Sequence, residues 1–182
     1  MCCSRTEPIR IKTAFLIVGV LLGLLVLAGL VLYFLGRSLP ERHTARVSVV
    51  LPGARAKVWA IITDYQNMAA WWPAVKGVRL ETRANGEVWT WNKDSHDREI
   101  AYRTKEEQAP AKLVREIVAD DLPFGGTWTF ELTEDGGQTR LTLTEDGFIK
   151  PPLFRAIMQY FIGSDKTMKD FAANLAQRVA AK

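Results

Sequence analysis

His43, Asp64, His96, Tyr102 and Arg115 are the side chains of this 182-residue chain whose type and setting could do chemistry. A general base must be held in a defined pocket, and a metal needs ligands at a fixed spacing. Neither histidine meets those conditions. His43 precedes the first expected strand, and His96 lies in the polar loop NKDSHDRE. Neither has a carboxylate at metal-ligand helical spacing, and nothing places His96 beside a serine and an acid. No catalytic constellation, metal or cofactor is expected. Asp64 closes a helix at the end where the dipole disfavours a carboxylate, which points to a local hydrogen-bonding role. Arg115 alternates with Leu113 and Ile117, and Tyr102 alternates with Ile100. On an inward face either would orient the polar end of a ligand, and a buried arginine would need a partner such as a carboxylate. The opposite register, with Val114, Glu116 and Val118 inside, stays open.

Strands and helices must position these groups. Ala45, Val47, Val49 and Leu51 alternate with Arg46, Ser48 and Val50, a first strand with one strongly apolar face, ended by Pro52-Gly53. Val58, Ile61, Ile62 and Tyr65 form a helical stripe over Ala54–Tyr65, and a second short helix is expected over Gln66–Trp72, stopped by Pro73. Six short strands follow, with turns at Asn85-Gly86 and Asp135-Gly136-Gly137, the pattern of an antiparallel meander. In them Trp128, Phe130 and Leu132 share one face, as do Leu141 and Leu143. The last 30 residues read as helix, with Phe154, Ile157, Met158, Phe161, Met168, Phe171, Leu175 and Val179 on one stripe and a bend at Gly163-Ser164.

The N-terminus is of another kind. Ala14–Leu35 runs 22 residues without a charge. At ~1.5 Å per residue it is about 33 Å long as a helix, enough to cross a ~30 Å hydrocarbon core. A cleaved signal peptide would have a shorter apolar run and a small-residue cleavage site, whereas GRSLPER follows here. The expected organisation is a tail (1–13), a single transmembrane helix (14–35), a linker (36–42) and one domain (43–182). Flanking charges nearly tie, with Arg5, Arg10 and Lys12 before the run and Arg37, Arg42 and Arg46 after it. Export of the large domain is favoured because long domains cross largely regardless of charge. Gly19 and Gly23 form a GxxxG pair, the spacing of a weak helix–helix dimer contact. Cys2 and Cys3 are the only cysteines, sites for acylation where a host supplies it, and they leave the domain without disulfide or cysteine–zinc options. The net charge of +4 is shared between the N-terminal segment and a nearly neutral domain, so nucleic acid is not an expected partner.

The order of strand, two helices, six strands and C-terminal helix resembles the START-like superfamily, also called SRPBCC or Bet v 1-like. The resemblance spans about residues 43–180. ARVSVVLPGARAKVWAIITDYQNMAAWWPAV is similar to that group's first strand and paired helices. DLPFGGTWTFEL is similar to the glycine-rich approach to its penultimate strand, and GQTRLTLTEDGFIKPPLFRAI to its last strand and the start of its closing helix. The nearest branch is polyketide cyclase/dehydrase and lipid transport. The resemblance implies an α+β helix-grip fold, in which a seven-stranded antiparallel sheet wraps a long C-terminal helix and leaves a hydrophobic tunnel. It further implies ligand contacts from Trp72, Trp89, Trp91, Tyr102, Arg115, Trp128, Phe130, Phe154, Met158 and Phe161, although aromatic residues at these spacings also serve as plain core. Of Trp71 and Trp72, one is expected to face the cavity or core and the other its rim.

Three functions follow as expectations. The first is a membrane-anchored carrier or sensor of a hydrophobic small molecule (lipid, isoprenoid or polyketide-like). The second is a cyclase- or dehydratase-type enzyme in the same cavity, using groups such as Tyr102, Arg115 or Asp64. The third is a ligand-free interaction module tethered to the membrane. Fold alone does not choose among them.

Overall fold

A computed structural model describes residues 7–118 and 122–181, with side chains from residue 13 onward. Cys2, Cys3 and Arg5 lie outside the described residues. Helix α1 (Glu7–Ser38) contains the apolar run, and its stretch Thr13–Ser38 is long and apolar enough to cross a membrane. Strand β1 (Arg42–Leu51) is followed by α2 (Arg55–Thr63) and a 3₁₀ turn (Tyr65–Ala70). The meander comprises β2 (Val75–Thr82), β3 (Val88–Asp94), β4 (Glu99–Gln108), β5 (Lys112–Ile117), β6 (Phe124–Asp135) and β7 (Gln138–Ile149). A short helix α3 (Pro152–Ile157), a π turn (Met158–Ile162) and α4 (Lys166–Ala180) close the chain.

The seven strands form one antiparallel sheet in the order β1-β7-β6-β5-β4-β3-β2, so β1 returns to pair with the last strand. The alternation legible in β1, β6 and β7 sets the buried face. Leu51, Phe130, Leu132, Leu141 and Leu143 meet Val58 and Ile62 of α2 and the α4 stripe Met168, Phe171, Leu175 and Val179. Gly163, at φ +88°, separates the π turn from α4, so the helical tail is two pieces and only α4 grips the core.

Within the sheet, Gly126 is required both by its backbone conformation and by close approach to β7. Gly126 has φ +141°, and a Cβ there would lie 2.3 Å from the Asp146 carbonyl oxygen of β7. Gly126→Ala is expected to destabilise the fold by at least ~1–3 kcal/mol from backbone strain alone. A thermal melt checks this, and an unchanged melting temperature would refute it.

Candidate functional site

The register of the sheet builds the site. Ala45 pairs with Glu145, Glu145 with Trp128, Trp128 with Arg115, and Arg115 with Thr104. Directly opposed residues share a face, so Glu145, Trp128, Arg115 and Thr104 stand in one row across the concave side. Between this row, the 3₁₀ turn, α4 and the segment after β7 lies a cavity of about 490 Å³. That volume is within the range of small-molecule sites.

At one station of the cavity is Arg115, only 8% exposed. Its Nη1 donates to Thr104 Oγ1 at 3.0 Å and its Nη2 to Thr90 Oγ1 at 2.6 Å. The guanidinium lies 4.1 Å from the centre of the Tyr65 ring. Among the described residues no carboxylate forms an ion pair with it. Burial pulls its pKa below the ordinary arginine value, against the influence of Tyr65, Tyr102 and, more weakly, the Glu107 carboxylate. Tyr102 also lines the cavity, and burial pushes its hydroxyl up to about 12, with Arg115 pulling the other way. It is therefore a neutral donor at ordinary pH. Two residues along from Thr90, Asn92 lines the same cavity with its buried side-chain oxygen unpartnered. This station offers a cation, a phenol and an orphaned acceptor to whatever enters.

The second station is His43 with Glu145, whose Nε2 and Oε1 are 3.7 Å apart. Both line the cavity. Gly147 makes room for the imidazole, since a Cβ there would come within 2.8 Å of His43 Cε1. Burial pushes the Glu145 carboxyl above its ordinary value, while His43 and the Trp128 indole N–H pull it back. The folded protein thus keeps this proton to higher pH than the unfolded chain does. Stability falls as pH rises from the ordinary carboxylate value through the raised one, and the loss persists above it. Glu145→Gln, which cannot ionise, is expected to raise the melting temperature more at about pH 7 than at about pH 4. Equal shifts at the two pH values would refute this.

The structure gathers Trp72, Tyr102, Arg115, Trp128, Phe130, Phe154 and Met158 around this cavity. Three expected residues lie elsewhere. Thr90 and Asn92 take the inward positions of β3, so Trp89 and Trp91 point to the convex face. There Arg83 covers Trp89 and Arg79 covers Trp91, while the indoles donate to Glu87 and Glu81. Phe161 is 71% exposed, because the π turn rotates it off the stripe that α4 buries. Trp71 and Trp72 both pack edge-on against Phe171, and Trp72 also faces the cavity. Asp64 has the local role expected of it, accepting from the Asn67 amide at 2.8 and 3.0 Å. His96 sits in a hairpin tied by Asp94 and does not line the cavity, although Arg98 of the same hairpin does. Among the described residues no cluster of His, Cys, Asp or Glu could hold a metal ion. His43 and Glu145 were missed as site residues, although period-two alternation carried back from Ala45 and forward from Leu143 reaches both.

Comparison with known proteins places this geometry. The family model described as "Polyketide cyclase / dehydrase and lipid transport" matches residues 42–180. The chain belongs to that family. No curated protein matches it. Among solved structures, a START superfamily protein from Mycobacterium smegmatis shares 16% identity at TM-score 0.58, covering 75% of this chain and 97% of its own. A protein from Thermobifida fusca shares 20% identity at TM-score 0.59, over 75% and 92% of the two chains. The di-domain ARO/CYC StfQ of the steffimycin biosynthetic pathway shares 15% identity at TM-score 0.60, over 77% of this chain and 51% of that one. At these identities the likeness establishes the START-like helix-grip fold.

Proposed function

We propose that the chain is a membrane-anchored carrier or sensor of a hydrophobic small molecule bearing an acidic head group. α1 is the single-pass anchor, the domain lies on the exported side, and the ligand occupies the cavity between sheet and α4. Arg115 carries this reading. Its buried guanidinium is held by hydroxyls and an aromatic face with no carboxylate in ion-pair contact among the described residues, and a ligand carboxylate would give it charge-assisted hydrogen bonds. The aromatic walls suit the rest of such a ligand. An apolar chain of ~15 carbons gains roughly 12 kcal/mol of gross transfer energy on burial, before association costs.

The test uses the full chain in detergent micelles, extracted with organic solvent and then offered a long-chain carboxylic acid and the matching primary alcohol. Native mass spectrometry should show the acid retained, at least about tenfold more tightly than the alcohol. Equal binding of the two would sink the head-group assignment. No extracted molecule and no binding of either would sink the carrier reading.

The His43–Glu145 pair favours a second reading, a dehydratase- or cyclase-type enzyme in the same cavity. In it the His43 imidazole takes a proton from carbon while the Glu145 carboxyl, held above its ordinary value by burial, gives one to the departing hydroxyl, so that the C–O bond breaks, a C=C bond forms and water leaves. Turnover of an offered β-hydroxy carbonyl substrate, lost in Glu145→Gln, would support it. Turnover unaffected by that change would remove it.

A further inference from the structure

We propose that the segment from Pro151 to Ile162 is a docking surface for the bilayer, clamped to the end of the anchor so that one wall of the cavity rests on the membrane. This rests on the anchoring reading above. Gly36, in the last turn of α1, is buried, and a Cβ there would fall 1.8 Å from the Pro152 carbonyl oxygen. Leu32 and Leu39, on the same face of the chain, are half-buried. Arg155, 8% exposed, locks the junction. Its Nε donates to the Gly36 carbonyl at 3.0 Å, and its Nη1 donates to Glu41 and to the Ile149 and Lys150 carbonyls at 2.9–3.2 Å. A cation on the carbonyl at a helix C-terminus is also favoured by the helix dipole. The anchor therefore does not hang on a free tether. Its last turn is bonded to Arg155 of α3, and the same guanidinium reaches Glu41 just before β1 and the end of β7.

Depth follows from that bond. With Ala14–Leu35 in hydrocarbon, Gly36 stands at the membrane–water boundary, and α3 packs against this end of α1. The same short segment holds Leu153, Phe154, Tyr160, Phe161 and Ile162, all exposed. Outside α1 the only other exposed large apolar residues among those described are Val50, Leu80 and Val88. The clustering is what a boundary surface needs, with aromatic side chains at headgroup level and no acidic residue to repel an anionic leaflet. Its other side is cavity wall, through Pro151, Phe154 and Met158. A hydrophobic ligand could thus pass between leaflet and cavity with little exposure to water.

Site-directed spin labelling tests this on the full chain in phosphatidylcholine vesicles, with Cys2 and Cys3 replaced by serine. Labels go on Phe161→Cys, on Leu24→Cys as a mid-anchor reference and on Leu80→Cys as a water reference. Accessibility to oxygen should dominate at residues 161 and 24, and accessibility to a nickel chelate at residue 80. If residue 24 is in the bilayer and residue 161 is as wet as residue 80, this inference fails while the anchor stands. If residue 24 itself reports water, the anchoring reading fails and takes this one with it. A label at residue 161 shielded from both reagents would mean a protein cover, such as a second copy, and would overturn the proposal. Adding Gly36→Ala, a change that by itself favours helix, should move residue 161 several-fold toward the nickel reagent and leave residue 24 unchanged. No movement would refute the clamp.

Discussion

Phe171→Ala is expected to lower the stability of the protein by about 3–5 kcal/mol, the usual loss for a buried aromatic ring. For a domain of this size that is a fall in melting temperature of about 10 °C or more. Phe171 is 2% exposed and stands on α4 where the grip closes. Its ring centre is 5.2 Å from Trp71, 5.0 Å from Trp72, 5.7 Å from Trp128 and 5.7 Å from Phe130, each pair edge-on. Such pairs contribute about 0.5–1.5 kcal/mol beyond burial. One side chain therefore ties the segment after the 3₁₀ turn, strand β6 and α4 together. The adjacent Trp-Trp pair is a lid on this ring, with Trp72 also facing the cavity. Circular-dichroism melts of the full chain in micelles measure the loss. Phe161→Ala is the control, since an exposed ring should cost no more than about 0.5 kcal/mol. A loss below about 1 kcal/mol in Phe171→Ala would mean that the aromatic cluster does not hold the grip closed.

Much of the fold was legible because its determinants are local and periodic. Alternation along Ala45–Leu51, Trp128–Leu132 and Leu141–Leu143 placed three strands with the correct face inward. Asn85-Gly86 and Asp135-Gly136-Gly137 form turns, with all three glycines at positive φ. The α1–α3 junction was not legible. Gly36 and Glu41 read as linker because their partner, Arg155, lies more than a hundred residues away and no spacing encodes that meeting. Phe161 was misplaced for a different reason. The Gly163 N–H donates to the Met158 carbonyl five residues back, so the turn there is wider than an α turn. A stripe extrapolated at 3.6 residues per turn loses phase across it.

In the site, strand phase decided what could be read. The sequence leaves open which face of β5 points inward, and the register formed is the one that turns Leu113, Arg115 and Ile117 to the cavity. The His43–Glu145 pair was lost because the first strand was begun at Ala45, whereas β1 starts at Arg42. The resemblance to a hollow fold implies that Trp89 and Trp91 face the tunnel, and they face away from it. The charges around them, Glu81, Arg83 and Glu87, carried the opposite signal, since cations over indoles and carboxylates accepting from indole N–H stabilise tryptophan on an outer face.

Arg115→Met is expected to separate binding from stability. Methionine fills similar space without a charge. Affinity for a long-chain carboxylic acid should fall about 10- to 100-fold, the worth of hydrogen bonds to a charged group, while affinity for the matching alcohol stays nearly constant. Stability of the ligand-free protein should move by less than about 1 kcal/mol, because two terms oppose. Removing an uncompensated buried cation is favourable. The Thr90 hydroxyl, 1% exposed, loses its donor, which is unfavourable unless it turns to a backbone carbonyl. Paired calorimetric titrations and thermal melts read both quantities. A collapse of about 3–5 kcal/mol would be the signature of a broken internal ion pair, and would mean that the arginine is held by the protein's own acid rather than kept for a ligand's. Unchanged acid binding would move the head group to the His43–Glu145 station. Arg115→Lys then distinguishes charge from shape, since an ammonium keeps the attraction and loses the two-pronged geometry that now spans Thr90 and Thr104.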